Sequence, residues 1–357
     1  MNKAKQLDFS GQDIFIGLDT HLKTWKVTII VGDTSFKTYM QDPDIGVLSK
    51  FLQKNLPGGN YYSAYEASFS GFSIHRKLLK SGIKNIVVNP ADIPTTDKER
   101  KQKEDKRDSR KIAKQLSNGS LVPIYIPEVE TEGDRNLIRY RKSLAKDSAR
   151  AKNRIKSLLY YHGIKIPAQF DENRYWSKKL INWIEELEMP TPSAKLVLEK
   201  RLNWLKIHRE EILSTNRAIR QLSKKQVYKT NVNLLISVPG VGLLTAMILL
   251  TEVGDIKRFK NTDKLNAYLG LIPTTNSSGQ KDKTGNITSR TNKLLRSTII
   301  ESAWVAIRND AALMLAFQKL IKRMESQNAI IRIAKKLVNR IVYVLREQKP
   351  YVSNIVK

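Results

Sequence analysis

The sequence predicts an α/β domain, then a long helical segment, then a mainly α-helical domain. Three observations predict it. Residues 13–90 alternate β-branched runs with amphipathic stretches, and residues 131–227 repeat apolar side chains every seven positions. Residues 234–357 hold apolar blocks at helical spacing around one polar interruption.

The first block opens with Ile14-Phe15-Ile16-Gly17-Leu18-Asp19, an apolar run that reads as a strand covered on both faces and ends in an acid. Residues 24–31 are mostly β-branched and form a second strand. A Gly32-Asp33 turn leads to a third near residues 35–40. A helix over 45–56 is closed by Pro57-Gly58-Gly59, and residues 60–66 form a fourth strand that also ends on an acid, Glu66. A helix over 70–80 and a fifth strand over 85–90 follow, with a further short strand expected at 121–126. Three strands and then alternating helix and strand, with acids closing the first and fourth, is the plan of an RNase H-like (RuvC-like) domain. In open α/β sheets, sites gather at the carboxyl ends of strands.

Between the fifth strand and residue 121 lies Lys103-Glu104-Asp105-Lys106-Arg107-Asp108-Ser109-Arg110-Lys111-Ile112-Ala113-Lys114. On a helix, Asp105 and Asp108 project from one face about a turn apart. Lys106, Arg107, Arg110 and Lys111 surround them with positive charge. Read alone, the stretch is a solvated helix laced by ion pairs. Together with Asp19 and Glu66, the two aspartates complete a set of four carboxylates. Four hard oxygen donors suit two Mg²⁺ ions, which stabilise the attacking and leaving oxygens of phosphodiester chemistry.

In the middle segment, Leu137, Leu144, Ala151 and Leu158 recur at seven-residue spacing, as do Leu198, Leu205, Ile212 and Ile219. Two long helices flank a shorter one that holds Trp176 and Trp183. The seams include Arg, Ser, His and Thr, so they fit a weak coiled coil, a spacer, a dimer arm, or a basic rail through Arg139, Arg141, Lys146, Arg150, Lys152 and Arg154.

The last segment opens with Ser237-Val238-Pro239-Gly240-Val241-Gly242, which reads as a helix-hairpin-helix turn or as an ordinary helix–helix turn. In the first case, Gly240 and Gly242 leave backbone N–H groups free at a helix N-terminus to hold a phosphate. Residues 273–290 read as a polar, basic, flexible loop. Ser277 and Ser278 precede Gly279, and Lys281, Lys283 and Arg290 follow. That arrangement places a hydroxyl where phosphate is drawn. Three amphipathic helices near 293–308, 311–323 and 329–347 close the segment.

Charge narrows the partners. Of 357 residues, 63 are Lys or Arg and 34 are Asp or Glu, a formal net charge of +29. A polymer of phosphates relieves that self-repulsion, so nucleic acid is the expected partner. There is no cysteine, hence no disulfide or thiolate metal site. The longest apolar run, residues 243–250, is too short to span a bilayer, and residues 1–6 have no apolar core behind them. These features predict no membrane association and a cytoplasmic protein.

Gly17-Leu18-Asp19, Tyr65-Glu66-Ala67, the stretch from Lys103 to Ala113, Val238-Pro239-Gly240-Val241-Gly242, Tyr268-Leu269-Gly270-Leu271-Ile272-Pro273 and Ser277-Ser278-Gly279 stand in an order that resembles one family. These are the insertion-sequence transposases with an N-terminal DEDD (RuvC-like) domain and a serine-bearing C-terminal domain, the bridge-RNA-guided recombinases. The resemblance implies a RuvC-like DEDD domain over residues 1–130, a helical coiled-coil linker or dimerisation segment over 131–230, and a C-terminal transposase domain over 231–357. It implies that Asp19, Glu66, Asp105 and Asp108 bind Mg²⁺, and that Ser278, or alternatively Ser277, joins covalently to a DNA phosphate. Lys106, Arg107, Arg110, Lys111, Gly240, Gly242, Lys281, Lys283, Arg290 and Arg296 are the expected nucleic-acid contacts.

The implied partners are double-stranded DNA at the element's ends and at its target, a structured guide (bridge) RNA, and further copies of the chain in a dimer or tetramer. The implied setting is a prokaryotic cytoplasm, at the nucleoid when active. The sequence departs from the family at Ser289 and Thr291, where the family carries lysine and glycine. Two other readings stay open: a Holliday-junction resolvase-like nuclease that uses water, and a non-catalytic architectural DNA-binding protein.

Overall fold

The computed structural model describes residues 8–93, 105–170, 176–278, 281–288 and 291–353. The chain divides into two compact units, residues 1–126 and 127–357.

The first unit is built on a five-stranded mixed sheet of β1 (Asp13–Thr20), β2 (Trp25–Val31), β3 (Thr34–Gln41), β4 (Asn60–Glu66) and β5 (Lys84–Val88), in the order β3-β2-β1-β4-β5. The meander β1-β2-β3 is antiparallel, whereas β1-β4 and β4-β5 are parallel. This topology fits an RNase H-like fold and puts the carboxyl ends of β1, β4 and β5 at one edge. Residues 121–126 do not form the expected sixth strand. They make one bridge, Val88 to Pro123, and Ile124 N–H donates to the Val87 carbonyl at 2.8 Å. The Pro123 nitrogen has no hydrogen to extend a ladder.

Each face of the sheet buries a different set. Helices α1 (Ile45–Asn55) and α2 (Ser73–Lys80) pack with Ile14, Ile16, Leu18, Val27 and Ile29 on one side. Asp44 caps α1, its carboxylate accepting from Gly46 N–H at 2.6 Å. Helix α3 (Asp105–Ser117) covers the other side, where Ile112 joins Ala64, Val88 and Ile93. Because side chains alternate along a strand, this face belongs to Gly17, Asp19, Ala64 and Glu66.

The second unit is helical. Its long elements are α4 (Val129–Tyr161) and α6 (Pro192–Leu222), with α5 (Lys178–Glu186) between them in sequence. Arg141 Nε donates to Asn216 Oδ1 at 3.0 Å, and Arg201 Nη1 donates to the Arg154 carbonyl, so α4 and α6 run antiparallel. The buried seam of α4 is Ile138, Leu144, Ser148, Ala151, Ile155 and Leu159. Leu137 and Leu158 of the predicted seven-residue repeat lie at its edge. The fully buried positions at the two ends are instead their neighbours Ile138 and Leu159.

The rest of the unit comprises α7 (Gln226–Ile236), α8 (Leu243–Val253), α9 (Thr262–Tyr268), the ribbon β6 (Pro273–Ser278) and β7 (Lys281–Ile287), α10 (Lys293–Asn309), α11 (Ala311–Ile321) and α12 (Ser326–Glu347). Helix α8 is buried almost all round, and α12 lays Ile330, Ile333, Leu337, Ile341 and Val344 into the same core. The three closing helices expected from the sequence are thus present. Among the described residues, no helix is long and apolar enough to cross a membrane.

Candidate active-site elements

The acidic edge follows from one absent side chain. A Cβ on Gly17 would overlap the Ser109 carbonyl oxygen of α3 and lie 2.5 Å from Ala113 N. Glycine there lets α3 rest directly on β1. Ser109, fully buried, fixes the register of the contact: its Oγ lies 2.9 Å from Thr28 Oγ1 on β2. Gly17 pairs with Ala64 across the parallel β1-β4 ladder. Two residues further along each strand, on the same face, come Asp19 and Glu66. Asp108 immediately precedes Ser109, and Asp105 is one helical turn earlier. The helix that bears two of the acids is therefore pinned across the strands that bear the other two.

Asp19 is one-fifth exposed, and His21 Nε2 lies 3.3 Å from its Oδ2. That ion pair requires a protonated imidazole. The side chains of Asp105, Lys106 and Arg107 lie outside the described residues, so the quartet is not complete in the structure. Among the described residues, no three acidic or histidine side chains close up into a metal-holding group. On α3, Arg110 is exposed to solvent and Lys111 is partly covered.

The second element is the serine segment, and here the structure corrects the sequence reading. Residues 273–278 and 281–287 form a two-stranded antiparallel ribbon, where the sequence reads as a polar, flexible loop. Ser278 ends β6 opposite Lys281, Ser277 lies opposite Asp282, and Asn276 opposite Lys283. β-Branched threonines at 274, 275 and 284 suit a ribbon, a signal outweighed in the sequence by the polar composition. Gly279, Gln280, Ser289 and Arg290 lie outside the described residues.

The base of the ribbon is clamped. Thr288 N–H donates to the Ile272 carbonyl at 3.3 Å, and Arg296 Nη2 donates to the Thr288 carbonyl. Thr291 Oγ1 donates to the Tyr268 carbonyl at 3.1 Å. Among the described residues, Gln348 is the one non-glycine with positive φ, so Thr291 does not occupy a left-handed position. The left-handed residue is Gly270, with φ of 68°. A Cβ there would meet Thr291 Oγ1 at 2.5 Å and Arg296 Nη2 at 2.6 Å. Arg296 is thereby occupied by the ribbon, and burial pulls its guanidinium below the usual arginine range.

A buried acid that the sequence gave little reason to single out organises this region. Glu252 closes α8 and is 2% exposed. Arg139 of α4 holds it through both oxygens, at 2.6 and 2.9 Å, and Asn292 Nδ2 donates to its Oε2 at 2.8 Å. Asn292 also caps α10, accepting from Leu294 N–H and Leu295 N–H. One carboxylate so ties the long helix α4 to the exit of the serine ribbon. In the sequence, the visible signal was an acid at the end of an eight-residue apolar run.

The Pro239–Gly242 turn joins α7 to α8. Gly240, with φ of 88°, approaches α10 so closely that a Cβ would overlap the Ser302 carbonyl oxygen and lie 2.8 Å from Ala306 Cβ. Its missing side chain serves packing. Gly242, by contrast, is exposed at the head of α8, where no side chain caps the helix.

Comparison with known proteins bears on both elements. Residues 16–162 match the transposase family model of the DEDD IS110 type. Residues 232–319 match the transposase model of the IS116/IS110/IS902 family. The chain belongs to the IS110/IS116 family of transposases. The first match contains Asp19, Glu66, Asp105 and Asp108, and the second contains the Pro239–Gly242 turn and the serine ribbon. Among relatives of this transposase is that of insertion sequence element IS1111A from Coxiella burnetii, 28% identical over 78% of this chain and 75% of that protein. The transposase of insertion sequence element IS1533 from Leptospira borgpetersenii is 26% identical over 70% of this chain and 72% of that protein. The pilin gene-inverting protein of Moraxella bovis is 33% identical over 34% of this chain and 39% of that protein.

Proposed function

We propose that this transposase cuts and rejoins DNA through a covalent serine–DNA intermediate, in a Mg²⁺-dependent reaction guided by an RNA. The observation that carries the reading is the pinning of α3 across β1 and β4. It sets the helix of Asp105 and Asp108 over the face on which Asp19 and Glu66 stand side by side. Carboxylates suit a hard divalent cation, and Asp19, Glu66, Asp105 and Asp108 are the residues that would hold it. When bound, Mg²⁺ supplies charge neutralisation at a phosphoryl group and at its leaving oxygen.

The chain's own groups account for the remaining steps. Ser278 Oγ attacks phosphorus, so a Ser–O–P bond forms and the bond from phosphorus to a deoxyribose oxygen breaks. The hydroxyl proton passes to solvent, and the departing oxygen takes one up. Rejoining reverses the exchange when a hydroxyl of the other DNA end displaces the serine. Lys281, Lys283 and Arg290 neutralise the remaining phosphate charge. Lys106, Arg107, Arg110 and Lys111, with the backbone at Gly240 and Gly242, contact the DNA or the RNA. Serine chemistry conserves the bond energy that water would release, which suits a relative named for inverting a gene, since inversion demands rejoining. The net charge of +29 supports partnership with both DNA and a structured RNA. A composite site, with acids and serine contributed by different copies of the chain, is part of the same proposal.

The test incubates purified chain, its co-purified RNA, Mg²⁺ and DNA of the element's ends, then denatures the mixture. A protein–DNA adduct that survives denaturation and disappears in Ser278→Ala is the expected result. An adduct lost only in Ser277→Ala moves the nucleophile by one residue. Cleaved DNA with no adduct in any variant makes water the nucleophile and the chain resolvase-like. RNA that is only bulk cellular RNA after a high-salt wash removes the guide.

A further inference from the structure

The six basic residues that the sequence sets along the first long helix do not form a continuous rail. Arg139 is committed to Glu252, and Arg141 is half-buried against Asn216. Lys152 is half-buried as well, and burial, with Arg209 and Lys156 nearby, pulls its ammonium below the usual lysine range. Arg150 and Arg154 remain on an open cleft between α4 and α6 of about 290 Å³. The other wall brings Arg201, Trp204 and His208.

Three features of this cleft stand apart from the rest of the helix pair. Trp204 is 60% exposed, although its neighbours Leu202 and Leu205 supply the packing of α6. Its ring lies over His208, with centroids 5.9 Å apart and planes 31° from parallel. Arg201 is braced in place by donating to the Arg154 backbone carbonyl, and among the described residues neither Arg154 nor Arg201 has a carboxylate partner. Arg150 has one, Asp147, at 2.9 Å and in solvent, an exchangeable pair of small worth.

We propose that this cleft binds an unpaired nucleotide of a nucleic-acid strand, its base stacked on Trp204 and its phosphate held by Arg154 and Arg201. The flat indole face matches any base, but only one released from a duplex, since paired bases present edges and not faces. Guanidinium groups match phosphate oxygens in planar pairs. Asp147 gives the cleft an acceptor for a base N–H, which a simple anion trap lacks. The inference rests on reading the chain as a nucleic-acid enzyme, but not on its serine or its metal.

The test uses the full chain stripped of nucleic acid in high salt. Fluorescently labelled 12-nucleotide single strands of DNA and of RNA, and the DNA duplex of the same sequence, are titrated against wild type, Trp204→Ala, Trp204→Phe, Arg154→Gln and Arg201→Gln. Trp204→Ala should weaken single-strand binding on the order of 10- to 100-fold, with duplex affinity and thermal stability unchanged. Trp204→Phe should retain most of the affinity. Each arginine variant should flatten the slope of log affinity against log salt by about 0.7 for single strands. Whichever of the two single strands loses more affinity identifies the source of the nucleotide. Equal loss on duplex and single strand, or no loss on either, overturns the proposal. So does a change of sedimentation in Trp204→Ala with strand binding intact, which makes the face a contact between copies of the chain. Loss of the serine–DNA adduct in Ser278→Ala leaves these outcomes untouched, so the two readings fail separately.

Discussion

Gly17 of β1 lies directly beneath the Ser109 carbonyl of α3, with no room for a methyl group between them. The seating of an entire helix thus depends on a hydrogen atom. Gly17→Ala should destabilise the first unit by about 1–3 kcal/mol, the usual cost of overpacking, and should reduce DNA processing more than stability alone explains. Thr28→Val removes the hydroxyl's contacts to Ser109 and to Thr38 of β3 and should cost about 1 kcal/mol. Urea denaturation of the two variants checks the ranking, and a milder effect for Gly17→Ala than for Thr28→Val would disprove the close seating.

Glu252 is nearly dry, and Arg139, Asn292 and, at 3.9 Å, Arg135 all lean on its carboxylate. Glu252→Ala removes the partner of Arg139 and of the more buried Arg135 and should cost about 1–3 kcal/mol, since Arg139 is half exposed and solvent takes up part of its charge. Glu252→Gln keeps the shape and should cost less. A double-mutant cycle with Asn292→Ala should reveal coupling of about 0.5–3 kcal/mol. Additive effects would mean that the helix cap and the acid act independently.

Asp310 gives a dependence on pH. Burial pushes its carboxyl up, but the Leu313 amide at 2.8 Å, the Tyr351 hydroxyl at 3.0 Å and Arg340 at 2.6 Å together outweigh burial and hold it below its ordinary value of 3.8. The carboxyl is 1% exposed, so these partners act with little screening by solvent. With the folded value depressed, its stabilisation is present above the unfolded value and is lost as pH falls through the folded one. Stability measured by urea should therefore fall as the medium is acidified below about pH 5, where carboxyls of the unfolded chain begin to take up protons while this one stays ionised. Asp310→Asn should show a shallower fall. Parallel curves for the two proteins would count against the assignment.

The acidic edge can be tested without catalysis. A ligand that binds only the folded chain raises its stability, by about 2.7 kcal/mol at one hundred times the dissociation constant. Mg²⁺ should raise the melting temperature of the wild type, and Asp19→Asn or Glu66→Gln should abolish most of that rise while leaving the metal-free melting temperature near its original value. An undiminished rise in both variants would place the metal elsewhere.

The sheet was legible because its strands are short β-branched runs whose terminal acids, Asp19 and Glu66, interrupt the apolar pattern. The seating of α3 was not, since nothing in the local sequence tells that Gly17 and Ser109, far apart in the chain, meet. The serine segment misled for a different reason. Its residues are polar on both faces, so the alternation that marks a half-buried strand is missing and only cross-strand pairing reveals the ribbon. Glu252 was hidden because its meaning comes from Arg139 and Asn292, which approach from elements distant in sequence. Thr291 shows the converse, a departure from the family pattern that Gly270 accommodates on the neighbouring turn.

The helix pair α4 and α6 carries two apolar cores that share no residue. One joins Ala151, Ile155 and Leu205 with Trp176, and the other takes Ile138 and Ile219 into the core around α8 and α12. Between them Leu144 is buried, but its neighbours are polar, with Arg141 on Asn216 and with Ser148 and Thr215 buried. Cooperativity passes poorly across such a waist, so the tip can open while the root stays closed. Over helices of 33 and 31 residues, about 50 Å of rod, the tip holds a core of its own, with Ala151, Ile155 and Leu159 against Leu198, Leu202 and Leu205. The pair is built as two separately packed ends on one continuous frame, and its weakest joint is the waist.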